Sequence, residues 1–199
     1  VFIRNERKDK RIINLTKILS SNKIPFQMAD KDKLDKISKG EAHQGIISEV
    51  ILPPLLNQDS LFDSIINFNQ DLFILILDSI QDPRNMGACL RSANAAGVSH
   101  VIINKDGSSP INATVHKTSA GAISNLQIFH VTNLSRTIKE IQKRGIWVVG
   151  LDGSSQKSLY DINLTGSIAI IVGSEGKGIR HLIKKNCDQI VSIPMTGNI

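Results

Sequence analysis

The hydrophobic residues of this chain follow two alternating patterns, short unbroken runs and apolar positions at helical spacing. Residues 72–77 form an unbroken apolar run, as expected of a strand buried on both faces of a parallel sheet. Residues 134–144 instead place apolar side chains on one side of a helix, which Gly145 ends. The two patterns alternate as strands at 72–77, 101–103, 126–131, 146–151, 168–172 and 190–193, and helices at 84–96, 113–123, 134–144 and 178–186. This alternation predicts a doubly wound α/β domain whose ligands bind beyond the carboxyl ends of the strands.

The first fifty residues predict a separate and smaller α/β unit. Its elements are strands at 1–3 and 24–28, helices at 12–19 and 34–37, and a β-rich run at 45–50. Pro53 and Pro54 then interrupt the chain. We therefore predict a small domain at 1–52, a linker at 53–71 that contains a short helix around residues 61–66, and a larger domain at 72–199.

Composition limits the kinds of partner and the cellular compartment that we expect. Lys and Arg number 24 against 18 Asp and Glu, and the resulting charge of +6 favours a polyanionic partner such as nucleic acid. No apolar run is long enough to span a membrane and no signal-peptide pattern opens the chain, so we expect a cytoplasmic protein. Cys89 and Cys187 lie far apart and the five histidines are scattered, so neither a disulfide framework nor a metal site is expected.

Polar residues follow the first strand of the larger domain. Asp82 can cap the next helix and Pro83 fits its first turn. That helix carries Asn85 and Arg91, which are six residues apart and so do not share one side of it, since six residues turn about 240° round the helix. If both act in one site, Asn85 must work from the first turn and Arg91 from the second. The alternative for Arg91 is a solvated charge or a structural salt bridge.

A second cluster, Gly173-Ser-Glu-Gly-Lys-Gly178, follows a later strand. Its three glycines permit tight turns and the close approach of a ligand. It has neither the Ser or Thr that a Walker loop needs after Gly-Lys nor the spacing of the dinucleotide fingerprint. The alternative is a glycine-rich turn that exposes Glu175. A third cluster, residues 192–198, is by itself only a strand followed by a turn.

In this order, the three clusters resemble the motifs of the SpoU class of RNA 2′-O-methyltransferases, in the knotted SPOUT superfamily. Asn85-Met-Gly-Ala-Cys-Leu-Arg91 is similar to the first motif, the cluster at 173–178 to the second, and Ile193-Pro-Met195-Thr-Gly197 to the start of the third. Residues 112–122, 130–136 and parts of the first fifty residues also resemble the bacterial 23S rRNA guanosine 2′-O-methyltransferases. The resemblance therefore extends over nearly the whole chain.

The resemblance implies a fold, a cofactor and a substrate. It implies a small L30e-like domain that helps to hold RNA, followed by a parallel-sheet SPOUT domain whose C-terminal trefoil knot binds S-adenosylmethionine. It also implies a homodimer with its active site at the subunit interface. The substrate would be a guanosine in the P-site loop of 23S rRNA. Alternatives are 2′-O-methylation of tRNA or another rRNA loop, and a non-catalytic RNA-binding or ribosome-assembly protein on the same fold.

The same resemblance suggests roles for individual residues. Asn85, Arg91 and Glu175 would be catalytic, with Glu175 holding Arg91 by a charge-assisted bond. Because an arginine stays protonated, we expect Arg91 to clamp phosphate and stabilise the developing alkoxide rather than act as a base. Cofactor-binding candidates are Gly150, Leu151, Gly173, Gly178, Ile193 and Met195. RNA-binding candidates are Arg4, Arg7, Lys8, Lys10 and Arg11, for which a solvated basic face is the alternative.

Both ends of the chain bear on these expectations. The chain begins at Val1 without a methionine and stops at Ile199, before the Ser-Leu-Asn segment that continues the third motif in the SpoU class. We therefore expect a part of a longer natural protein, in which the knot and the cofactor pocket are incomplete as far as Ile199.

Overall fold

The computed structural model describes residues 1–5, 9–51 and 55–197, and the chain divides into two compact units at residues 53 and 54. The predicted α/β class is confirmed in each unit. The small unit contains β1 (Phe2–Arg4), α1 (Lys10–Ser21), β2 (Gln27–Ala29), α2 (Lys31–Ser38) and β3 (Ile46–Ile47).

In the described part of the small unit, three strands form one sheet in the order β2-β1-β3. Strand β1 is parallel to β2 and antiparallel to β3. Helix α1 begins where the Asp9 carboxylate accepts hydrogen bonds from the main-chain N–H groups of Arg11 and Ile12. Buried Ile12 and Leu19 of that helix pack with Ile3 of β1, so the apolar spacing at 12–19 marks the face that covers the sheet.

The large unit contains the alternating elements that the sequence predicts. They are α3 (Gln58–Ile66), β4 (Phe73–Asp78), α4 (Pro83–Ala95), β5 (His100–Asn104), α5 (Ala113–Thr118), β6 (Gln127–Val131), α6 (Leu134–Gln142), β7 (Trp147–Leu151), β8 (Ile168–Gly173), α7 (His181–Lys185) and β9 (Gln189–Val191). Within the described residues, these six strands form one parallel sheet in the order β6-β5-β4-β8-β7-β9.

Helices cover both faces of this sheet, which accounts for strands that are apolar without interruption. On one face, α3, α6 and α7 pack against Ile74 and Ile76 of β4. On the other face, α4 and α5 pack against Leu77 of β4 and its neighbours in β5. The residues of β4 therefore alternate between two cores, as the period of a strand requires.

The predicted helix at 113–123 is wrong in its length. Helix α5 ends at Thr118, and a short 3₁₀ turn follows at Ala122–Asn125. Between them, Ala120 and Gly121 have φ values of 51° and 87°, which a right-handed helix cannot include. Val115, Ala122 and Ile123 are all buried, so the apolar spacing that suggested one helix comes from two elements packed on the same core.

Helix α7 is also shorter than the predicted 178–186. It begins at His181, because Gly178 has a φ of +64° and belongs to the preceding turn.

The segment at 53–71 that we predicted as a linker contains helix α3. Leu61 and Ile65 of this helix are buried in the core of the large unit. Leu56 pairs with β6, donating to the carbonyl of Ile128 at 3.1 Å and accepting from the N–H of His130 at 2.8 Å. The described part of this segment is therefore packed on the large unit.

The order of the strands indicates where on the sheet a ligand is expected to bind. Strands β5 and β6 lie on one side of β4. Strands β8, β7 and β9 follow in that order on its other side. The order reverses between β4 and β8, and such a switch point is where doubly wound sheets bind ligands. In the described part of the chain, no helix is long and apolar enough to cross a membrane.

A buried histidine at the opposite edge makes stability depend on pH. The ring of His100 is fully buried and stacks on Phe129, and its nitrogens are hydrogen-bonded to the hydroxyls of Ser64 at 2.8 Å and Ser99 at 2.9 Å. Burial lowers the pKa of His100 below its ordinary value of 6.5, and so the folded protein keeps this ring neutral. Below pH 6.5 the unfolded chain takes up a proton that the folded chain does not. We therefore expect the free energy of unfolding to decrease by up to about 1.4 kcal/mol per pH unit below the unfolded pKa.

Urea unfolding between pH 5 and 8 measures this dependence. His100→Asn should flatten the profile. Burial also lowers the pKa of His130, so some dependence remains in His100→Asn. A profile of His100→Asn that runs parallel to the wild-type profile would contradict the assignment.

Candidate active site

A cleft of about 1260 Å³ opens at the carboxyl ends of β4 and β8, at the switch point of the sheet. Its walls come from the turn after β4, the first two turns of α4, the turn after β8 and helix α7. The lining includes Ser79, Ile80, Asp82, Asn85, Cys89, Asp152, Val172, Gly173, Glu175, Lys177, Ile179, Arg180 and Lys184. The predicted location of the site, beyond the strand ends, agrees with this cleft.

Asn85 and Glu175 meet across the cleft. The side-chain amide of Asn85 donates from Nδ2 to Oε2 of Glu175 at 2.8 Å, although 90 residues separate them in sequence. Asn85 is placed by the start of α4, where the Asp82 carboxylate accepts a hydrogen bond from the N–H of Arg84 and Pro83 occupies the first turn. The predicted cap of this helix is therefore confirmed, and it aims Asn85 at the turn after β8.

The turn at 173–178 is closed by its own main chain. The N–H of Ser174 donates to the carbonyl of Gly178 at 3.1 Å, and the N–H of Gly178 donates back to the carbonyl of Ser174 at 2.8 Å. Gly178 has a positive φ, which favours glycine. At Gly173 the reason for glycine is space, since a Cβ would overlap main-chain atoms of Gly178 and Ile179. The glycine spacing thus shapes a compact turn that presents Glu175.

Arg91 lies outside this cleft. Its side chain is exposed on α4 and forms no hydrogen bond or ion pair with any described residue. Within a single chain Glu175 accepts a hydrogen bond from Asn85 and forms none with Arg91, so the predicted bond from Glu175 to Arg91 stays a prediction for a site shared between two copies. Helix geometry accounts for the exclusion of Arg91 from the cleft, since a rotation of about 240°, or about 120° by the shorter way, puts Asn85 and Arg91 on different faces of α4.

The cofactor-binding candidates lie partly in the cleft and partly beside it. Of the six, the cleft lining includes Gly173. Leu151 ends β7 and pairs with Val191, so Ile193 and Met195 follow at the adjacent strand end, with exposures of 45% and 64%. Gly150 is buried, and a Cβ there would stand 2.7 Å from Cδ1 of Ile190, so the packing of neighbouring side chains within the unit already favours a small residue.

Two ion pairs at the same edge were not predicted. Asp78 closes β4 without any exposed surface and pairs with Arg180, whose Nε donates to Oδ1 at 2.7 Å. Asp152 follows β7 and pairs with Lys184 at 2.6 Å. That bond, together with the hydroxyl and N–H of Ser154, lowers the pKa of Asp152 to about 2. The sequence did contain a feature that could have indicated these pairs. Asp78 and Asp152 each come directly after a predicted apolar strand.

Cys89 also lines the cleft, where its surroundings disfavour the reactive thiolate. Burial raises the pKa of its thiol, so the sulfur stays protonated at neutral pH and is a poor nucleophile. In the described part of the chain, no group of three His, Cys, Asp or Glu side chains is placed to hold a metal ion.

The RNA-binding candidates belong to the small unit. Lys10 and Arg11 are exposed in the first turn of α1, and Arg4 is half-buried at the end of β1. Arg7 and Lys8 lie outside the described residues.

Known sequences match both units. The SpoU rRNA Methylase family matches residues 72–199, and a family described as RNA 2′-O ribose methyltransferase substrate binding matches residues 1–54. The 23S rRNA (guanosine-2′-O-)-methyltransferase RlmB of Escherichia coli K12 is 43% identical over 199 residues, which cover 100% of this chain and 82% of that protein. RlmB of Haemophilus influenzae is 42% identical over 200 residues, which cover 100% and 81%.

Solved structures share the fold. The SpoU methyltransferase AviRb from Streptomyces viridochromogenes, in complex with the cofactor AdoMet, matches with a TM-score of 0.76 at 21% identity, over 99% of this chain and 73% of that one. The TrmH/SpoU tRNA modifying enzyme of A. aeolicus matches with a TM-score of 0.58 at 22% identity, over 70% and 71%. With the family match over residues 72–199 and a relative 43% identical along the whole chain, the protein belongs to the SpoU rRNA methylase family.

Proposed function

We propose that this protein transfers a methyl group from S-adenosylmethionine to the ribose 2′-OH of a guanosine in 23S rRNA, in the P-site loop. The observation that carries the proposal is the 2.8 Å hydrogen bond from Asn85 to Glu175. It joins the first and second motifs of the family in one cleft at the switch point of the sheet. The 43% identity to RlmB, a 23S rRNA (guanosine-2′-O-)-methyltransferase, supports the substrate.

The residues at this edge of the sheet fit S-adenosylmethionine, which when bound supplies an electrophilic methyl group on a sulfonium. The cleft places the Glu175 carboxylate beside apolar Ile80 and Ile179, which suits a ligand with cationic and apolar parts. Leu151, Ile193 and Met195 would offer an apolar surface to an adenine ring. Gly150, Gly173 and Gly178 would act through their main chain, by shaping the strand ends and the turn.

Asn85 would orient the ribose. Because its Nδ2 is engaged by Glu175, its Oδ1 is the atom left to accept a hydrogen bond from the ribose hydroxyl. Glu175 would fix the amide in that orientation, and it would also favour a nearby positive charge. Holding the hydroxyl in line with the methyl group it attacks is a large part of what such a site must do.

We place Arg91 in the cleft of a second copy of the chain. Its exposed guanidinium has no partner among the described residues and does not line the cleft that holds Asn85 of its own chain. In a homodimer it would clamp the RNA phosphate next to the 2′-OH and stabilise the developing alkoxide. Two copies would then each complete the other's active site.

Mixing two inactive variants tests this arrangement. A dimer of Arg91→Ala and Glu175→Ala chains would contain one wild-type site, because Asn85 and Glu175 of the first chain meet Arg91 of the second. Random mixing should restore about a quarter of the wild-type activity. As the control, Asn85→Ala mixed with Glu175→Ala should restore none, since those residues belong to one chain's site. Failure of the first mixture to exceed the second would rule out a shared site.

The small domain would hold the RNA. Lys10 and Arg11 are exposed, and the match of residues 1–54 to a substrate-binding family supports their role, with Arg4, Arg7 and Lys8 beside them in sequence. Phosphate contacts of this kind would position the RNA without reading its sequence. Because the substrate is ribosomal RNA, we propose that the protein acts in the cytoplasm.

Mapping ribose methylation in the rRNA of a deletion strain tests the function. We expect one methyl mark in the P-site loop of 23S rRNA to disappear, and wild-type protein but not Glu175→Ala to restore it. A mark lost from tRNA or from another rRNA loop would change the substrate. An unchanged map would reject the enzymatic function.

A further inference from the structure

Arg180 is held at two points by a carboxylate that solvent cannot reach. Asp78 has no exposed surface, and its Oδ2 accepts the main-chain N–H of Arg180 at 2.9 Å. Its Oδ1 accepts the guanidinium Nε–H at 2.7 Å and a longer bond from the hydroxyl of Ser79 at 3.3 Å. The side chain of Arg180 is thereby fixed from its base to its Nε.

The remaining end of Arg180 is free. Neither terminal nitrogen donates a hydrogen bond to a described residue, and 51% of the side chain is exposed. Arg180 lines the active-site cleft and also a neighbouring cleft of about 310 Å³, whose lining includes Asn104 at the end of β5 and Asn133 after β6. The guanidinium therefore stands on the boundary between the two clefts.

This geometry suits a phosphate. The two terminal nitrogens of a guanidinium match two oxygens of a phosphate group, and a side chain that is already ordered loses little entropy on binding. The negative charge of the pair lies inside the protein at Asp78, whereas the positive charge faces solvent. Of this ion pair, an anionic ligand in either cleft would meet the Arg180 cation and not the Asp78 carboxylate.

We propose that Arg180 binds a phosphodiester of the RNA strand beside the methylated ribose, and that Asp78 is its positioning residue. The inference rests on the proposed function, since it assigns a contact to the same substrate. A strand that enters the active-site cleft and continues along the neighbouring one would cross Arg180. The phosphate it binds would then be distinct from the one assigned to Arg91.

A purely structural role for Arg180 predicts a different result. A buried carboxylate is costly without a partner, so Arg180 would be needed merely to neutralise Asp78. In that case, removing both charges together would restore a fully active protein. If Arg180 binds RNA, removing both charges would preserve the fold but not the affinity for RNA.

The experiment compares Asp78→Asn/Arg180→Gln with wild type in the intact natural protein. We expect calorimetry to show unchanged S-adenosylmethionine binding, whereas the Kd and KM for a 23S rRNA fragment rise about 10-fold and kcat changes little. The slope of log Kd against log salt should become shallower by about 0.7, as expected for one lost contact to a single strand. The control is Lys143→Gln, which removes a positive charge directly after α6, near the opposite edge of the sheet. It should retain the wild-type Kd, KM and salt slope.

Wild-type KM and salt slope in the double variant would overturn the proposal. If the double variant does not fold, Arg180→Lys decides, because lysine can pair with Asp78 but lacks the guanidinium fork. A raised KM for RNA in that variant supports the contact, and a wild-type KM overturns it. Failure of the wild-type protein itself to bind S-adenosylmethionine or methylate rRNA would instead reject the proposed function.

Discussion

Gly173→Ala should destabilise the protein by about 3 kcal/mol and reduce methyl transfer at least about 100-fold. The added Cβ would overlap the carbonyl group of Gly178 and the nitrogen of Ile179, which are all main-chain atoms. No change of side-chain rotamer relieves such an overlap, so the turn must open. Opening it breaks the paired bonds between Ser174 and Gly178 and displaces Glu175 from Asn85.

Urea unfolding measures the stability, and transfer of labelled methyl groups to a 23S rRNA fragment measures the activity. Gly153→Ala is the matched control, because a Cβ at Gly153 meets no atom within 4 Å and its φ is not in the left-handed region. We expect that control to remain within about 0.5 kcal/mol of wild type and to retain activity. If Gly173→Ala behaved like Gly153→Ala, the close approach of the two ends of the turn would be refuted.

The sheet was predictable because its strands are buried on both faces. An unbroken apolar run such as residues 72–77 is too short for a buried helix and has the length of a central strand, and each predicted strand of the large unit lies within two residues of an observed one. The position of the cleft could be predicted as well, since polar residues and glycines cluster where these strands end. The strand order, which brings β8 beside β4, depends on long-range pairing that no local pattern reports.

The partners of charged residues could not be predicted in the same way. Asp78 and Arg180 are 102 residues apart, and only the pairing of β4 with β8 brings them together. The helical angle indicated that Asn85 and Arg91 do not share one side of α4, and the resemblance to the family suggested a bond from Glu175 to Arg91 that a single chain does not form.

Asn85→Ala and Glu175→Ala should each reduce kcat by about 100-fold while changing stability by less than about 1 kcal/mol. Both side chains reach the cleft, Asn85 half-buried and Glu175 exposed, so their loss removes little packing. Because the two act as one hydrogen-bonded unit, the double variant should be no slower than the worse single variant.

A double-mutant cycle on kcat, with unfolding measured in parallel, tests this coupling. Asn94→Ala is the matched control, since Asn94 is also half-buried on α4 but does not line the cleft, and it should retain wild-type kcat. Losses that add, to about 10,000-fold in the double variant, would mean that Asn85 and Glu175 serve the reaction separately. Losses that do not add would identify the bond between α4 and the turn after β8 as a single functional unit, assembled by the switch point of the sheet.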